Sequence, residues 1–169
     1  MNKKFYISAV VLFAFIFAGS ASAFAEGKGE KMSEQHRNNV AKVVEELEKV
    51  ANKDGAIGEE VKTVAQEEKD TVAGVSEKME KVESRNGFKT FLIGSDYKNL
   101  GAIRSEIVTT QNHIDRLTKS LERATSTEAK AELQAQIDSL KGIQTKVETF
   151  VKDHEGKFSL FGWLVKMFQ

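Results

Sequence analysis

Residues 100–151 read LGAIRSEIVTTQNHIDRLTKSLERATSTEAKAELQAQIDSLKGIQTKVETFV. Leu100, Ile103, Ile107, Thr110, Ile114, Leu117, Leu121 and Ala124 follow one another at steps of three and four. That is the spacing at which side chains share one face of a helix, and the spacing of a coiled-coil seam. After a very short turn, Leu133, Ile137, Leu140, Val147 and Val151 resume the pattern, with Ile143 and Phe150 widening the stripe. Thr125-x-x-Glu128 matches a capping box and marks the start of the second helix. Each helix is about 40 Å long at 1.5 Å per residue. A turn this short requires the two to run antiparallel.

Toward the N-terminus the same period recurs. Val40, Val43, Val44, Leu47 and Val50 form one stripe, and Val61, Ala65, Glu68, Val72, Val75, Met79 and Val82 another. Asp54-Gly55 and Gly58 mark a turn between them, and Glu59 and Glu60 sit where a helix dipole favours acids. Asn86-Gly87 is expected to close the second stripe with left-handed stop residues. Residues 88–94 break the periodicity, and Ser95 or Asp96 is the expected N-cap of the next helix. The fold class predicted is therefore all-α: two antiparallel helical hairpins with coiled-coil character. Whether they pack together as one four-helix bundle is left open by periodicity alone.

The expected organisation is a signal peptide (1–25), a flexible lead-in (26–31), an N-terminal helical hairpin (32–87) and an apolar connector (88–95). A long antiparallel coiled-coil hairpin (96–155) and an aromatic tail (156–169) follow. The signal peptide rests on Lys3 and Lys4, an apolar run from Phe5 to Ala18 broken only by Ser8, and the small-residue patterns Ala21-Ser22-Ala23 and Ala23-Phe24-Ala25. The run is shorter than the roughly 20 residues that span a bilayer. It predicts export to the periplasm, the cell envelope or the medium. Removing Lys3 and Lys4 from a chain with 25 basic and 25 acidic residues leaves a net charge of −2. That balance speaks against nucleic-acid binding.

Chemistry is sparse. The chain has no Cys and no Pro, so disulfides, thiolate nucleophiles and Cys-based zinc sites are excluded, and no helix interior meets a Pro. Of three histidines, His36, His113 and His154, none stands in a Glu-x-x-His or His-Glu-x-x-His pattern, and no metal site is expected. Glu45-Glu46, Glu59-Glu60 and Glu67-Glu68 are adjacent pairs pointing about 100° apart. They read as a solvated face, not an acid/base couple converging on a substrate. Ser95-Asp96-Tyr97-Lys98 fits the short Ser-x-x-Lys pattern of penicillin-binding enzymes, but both companion motifs are missing and a helix cap explains the same residues. Phosphate-binding loops and nucleophile elbows are likewise missing. The expectation is no enzyme, no cofactor and no small-molecule substrate. Glu68, Gln144 and His154 interrupt the stripes and are read as register-setting positions.

The tail, FSLFGWLVKMFQ at 158–169, is the exception, with eight large apolar residues in twelve. Burying four or five of them is worth roughly 6–15 kcal/mol. Phe158, Phe161, Trp163, Leu164 and Phe168 are therefore the candidate contact residues. They can dock back onto the helices near Phe88, Phe91, Leu92 and Ile93, enter a membrane interface with Lys157 and Lys166 at its surface, or bind a protein partner.

With the signal peptide, residues 87–100 (GFKTFLIGSDYKNL) and the FSLFGW end, the chain resembles small exported helical proteins of bacterial genomes. That resemblance implies no catalytic residues. The function expected is a non-enzymatic envelope protein acting as an interaction or scaffold module, by self-association or with a protein partner. Its contact elements are expected to be the seam from Ile103 to Leu121 and the tail. Peripheral membrane binding through the tail and a periplasmic helical chaperone are the alternatives.

Overall fold

The computed structural model describes residues 31–156. Five helices follow one another: α1 (Met32–Lys53), α2 (Gly58–Glu83), α3 (Gly87–Ile93), α4 (Tyr97–Arg123) and α5 (Thr127–Glu155). The four long ones pack side by side in the cyclic order α1, α2, α4, α5, with α5 returning to α1. Short connections and cross-helix pairs make every neighbouring pair antiparallel. Ser33 at the start of α1 donates to Glu83 at the end of α2, and Lys53 at the end of α1 meets Glu128 at the start of α5. The protein is an up-down-up-down four-helix bundle, and the two hairpins share one body.

The stripes read from the sequence line its interior. Leu47, Val61, Leu100, Ile103, Leu117, Leu133 and Leu140 are fully buried. Two apolar clusters form. The larger joins Val40–Val50, Ile57–Ala65, Ile114, Leu117 and Ala124–Ile143, and the smaller joins Val75–Val82, Leu100, Ile103 and Val147–Val151. The seam from Ile103 to Leu121 is thus consumed inside the chain's own bundle. Of the large apolar side chains on that stretch, Val108 is the one left well exposed.

Local starts and stops differ from the sequence reading at three places. At the α4–α5 turn the cap is Ser126, whose hydroxyl accepts from the Ala129 N–H at 3.2 Å. Thr125 instead donates to Asp54, and Glu128 pairs with Lys53. A capping box has only one register, and here a partner 71 residues away takes Thr125 out of it. Asn86-Gly87 is not a left-handed stop: α2 ends at Glu83, and the Asn86 carbonyl accepts from the Thr90 N–H at 3.0 Å to begin α3. The connector itself is helical, and its seven residues are too few to display a period. Among the described residues only Gly94 has a positive φ, 98°, a conformation natural to glycine, at the bend into α4. Gly58 is needed for a different reason, because a Cβ there would lie 2.4 Å from the Ala51 carbonyl oxygen.

Candidate functional site

Two features break the regular packing: a polar layer across the middle of the bundle and an apolar end around α3.

The layer is built on α2 and α4. Glu68 occupies a position in the α2 stripe and is 2% exposed. Its Oε1 lies 2.8 Å from Nδ1 of His113 on α4, itself 4% exposed. The other ring nitrogen, Nε2, lies 3.0 Å from Glu67. One turn further along α4, Arg116 donates to Glu60 at 2.7 Å and also to Glu67. Glu60 and Glu67 are seven residues apart and share a face of α2, as His113 and Arg116 share one of α4. Glu67 and Glu68 are therefore not merely a solvated pair. Their divergence of about 100° lets them address the two nitrogens of one ring. Sequence reasoning singled out Glu68 as a break in the α2 stripe but missed His113, which flanks the α4 stripe beside Ile114.

Beside Glu68 lies a cavity of about 10 Å³, room for a single water, whose lining includes His36, Val40, Glu106, Thr110 and Gln144 from the other three helices. Burial pulls the His36 imidazole down to about 4, and its Nδ1 has no hydrogen-bond partner within the protein. Glu106 is held by Lys78 at 3.1 Å, and Gln144 donates to Gln111 at 3.2 Å. The carboxylates of the layer thus face a histidine, an arginine or a lysine. These pairs tie α2 to α4 at one level of the bundle. Among the described residues no group of three or more metal-ligand side chains is placed to hold an ion.

The apolar end is where α3 sits. Among the described residues it is not packed closely along any of the four long helices. Phe91 and Ile93 are each 46% exposed, and Tyr97, at the start of α4, is 36% exposed. Lys89 and Lys98 are also exposed there. Asp96 is the N-cap of α4, accepting from the Asn99 N–H at 3.3 Å, and Arg85 lies 3.5 Å from it. Ser95 donates its hydroxyl to the Glu155 carbonyl at 3.3 Å, and Arg104 pairs with the Glu155 side chain. The Ser-x-x-Lys pattern is thereby explained: Ser95 is buried as a donor to α5, and Lys98 points to solvent. The same contacts hold the end of α5, from which residues 157–169 continue, against the α3–α4 junction. Phe158, Phe161, Trp163, Leu164 and Phe168 lie outside the described residues. Among those described, no helix is long and apolar enough to cross a membrane.

In comparisons with known proteins, the chain matches no family model, no curated protein and no solved structure.

Proposed function

We propose that the chain is a non-enzymatic, exported protein of the cell envelope that acts as an interaction module, a rigid helical body presenting a contact surface at one end. The observation that carries this reading is the exposure of Phe91, Ile93 and Tyr97 on and beside the short helix α3 at one end of the bundle. Exposed aromatic and aliphatic side chains at one end of a helical body are typical of contact sites. The interior supports it from the other side. The carboxylates of the polar layer are engaged by His113, Arg116 and Lys78, and the cavity beside Glu68 is far below the few hundred Å³ of a small-molecule site. Export follows from the first 25 residues, with processing after Ala23 or Ala25.

Expression of the full chain in a bacterial host, with a photo-crosslinking amino acid at position 91 or at exposed Lys119, tests this. The expected result is a processed chain outside the cytoplasm that crosslinks from position 91 and not from 119. An unprocessed cytoplasmic chain, or one that crosslinks equally from both positions, overturns it.

A further inference from the structure

We propose that the first two turns of α1, Met32–Asn39, form an acid-released strap: they lift from α2 and α5 when His36 takes up a proton, while the rest of the bundle stays folded. Release uncovers the side chains of Met79 on α2 and of Ile143 and Val147 on α5.

The two halves of α1 are held differently. From Val40 onward, Val40, Val43, Val44, Leu47 and Val50 are buried in the larger apolar cluster, and Asp54 beyond them bonds to the α4–α5 turn. Before Val40 the only large apolar side chain of the helix is Met32, which is partly buried against the smaller cluster. Lys31 supplies no side-chain cap. The one fully buried side chain of these two turns is polar: Ser33, whose hydroxyl donates to Glu83 at 2.6 Å. A segment with few buried apolar contacts opens at lower cost than the domain it belongs to.

The core is also divided at this level. Along each long helix one polar residue stands between the side chains of the two apolar clusters: His36 on α1, Glu68 on α2, Thr110 on α4 and Gln144 on α5. All four line the cavity beside Glu68. His36 also lines a second cavity of about 10 Å³, walled by Met32 and Asn39 on the strap and by Met79, Ile143 and Val147 on the other helices. Its ring therefore sits between two small voids at the break in the apolar packing.

The ring is suited to its place only when neutral. Nδ1 of His36 is sealed from solvent and has no hydrogen-bond partner. A neutral imidazole can leave a lone pair there, whereas an imidazolium donates from both nitrogens and would hold a charged donor unpaired in a desolvated site. The charged groups around it are committed or of the wrong sign. Glu68 on α2 lies against His113, Glu106 on α4 is held by Lys78, and the charged group that α5 contributes to the second cavity is a cation, Lys146. Burial accordingly lowers the attached ring to about 4 from 6.5. In a lifted strap it meets water and recovers its ordinary value of about 6.5. Attachment is therefore complete above about 6.5, and opening becomes easier as pH falls toward 4.

Native-state amide hydrogen exchange followed by NMR at low urea, at about pH 7.5 and about pH 5, tests this. The N–H groups of residues 36–39 are expected to exchange through an opening that hardly responds to urea. Leu117 is expected to exchange through the urea-dependent unfolding of the whole bundle. Protection at 36–39, taken against intrinsic exchange at the same pH, should be about 30-fold lower at the acid value. In His36→Leu the local opening should lose its pH dependence. Ser33→Ala should open the strap more often at both pH values with the acid ratio kept. Residues 36–39 that match Leu117 in protection and urea slope at both pH values overturn the strap. A local opening indifferent to pH, or a ratio that survives in His36→Leu, overturns His36 as its trigger. Protection that rises in acid also overturns the proposal, and shows the charged ring clamped on Glu68 or Glu106 instead.

Discussion

Asp54 and Thr125 are 71 residues apart, yet the Asp54 carboxylate accepts the Thr125 backbone N–H at 2.6 Å. The same oxygen accepts the Ser126 N–H at 2.9 Å, and the other accepts the Ala56 N–H at 3.0 Å within its own turn. One buried side chain therefore closes both turns at this end of the bundle and binds the two hairpins to each other.

The backbone N–H of Ser126 above all, with those of Thr125 and Ala56, holds the Asp54 carboxyl below the usual carboxylate range. A carboxylate whose folded pKa is depressed stabilises the fold above its unfolded pKa, and the benefit disappears as pH falls through the folded value. Asp54→Ala is expected to lower the melting temperature by several degrees at about pH 7. The gap between variant and parent should narrow as pH falls below the ordinary carboxylate value of about 3.9. Thermal melts across that range check it. A gap that does not change with pH would mean that Asp54 acts through packing alone.

His36 produces a second, separate pH dependence. Burial brings its folded value to about 4 from 6.5, so between these pH values the unfolded chain binds a proton that the folded chain refuses. Stability is therefore complete above about 6.5 and declines as pH falls toward 4, by about 2–3 kcal/mol. Glu68 and Glu106 line the same cavity, but His113 and Lys78 already engage them. His36→Leu is expected to flatten urea midpoints between about pH 4 and about pH 6.5 while leaving the lower Asp54 window in place. An unchanged slope in that interval would remove His36 from the account.

Gly101 lies inside α4, where a Cβ would meet nothing within 4 Å. Gly101→Ala is therefore expected to stabilise by about 1 kcal/mol, the ordinary helix-propensity difference. Denaturant unfolding monitored by circular dichroism measures it. A loss of stability would reveal a contact at Gly101 beyond the bundle.

The bundle was legible because burial writes a period into long helices. Leu100 to Leu117 and Leu133 to Val151 recur at threes and fours, and apart from the half-buried Ile107 and Thr110 their apolar members are found inside. What stayed hidden depends on pairings distant in sequence. Thr125 caps nothing in its own helix because Asp54 claims it, and no local pattern carries that information. α3 was hidden by length, since two turns cannot show periodicity. His113 was hidden because the α4 stripe runs through Ile114 beside it, and only packing against α2 brings Glu67 and Glu68 to its ring.

That pairing can be separated from simple burial. Removing one partner of a buried hydrogen-bonded pair leaves the other desolvated and unsatisfied, which costs about 2–4 kcal/mol. Replacing both with apolar groups of similar size removes the penalty, because nothing polar is left unpaired. Glu68→Leu and His113→Leu are each expected to destabilise by that amount. The double variant should lose clearly less than the sum of the two. Glu67 and Arg116 complicate His113→Leu only mildly, since Arg116 still holds Glu67 and Glu60 at the partly exposed edge. Chemical denaturation of the four proteins closes the double-mutant cycle. A coupling energy near zero would mean that the 2.8 Å contact contributes nothing beyond filling space, and that register between α2 and α4 is set by the apolar clusters on either side.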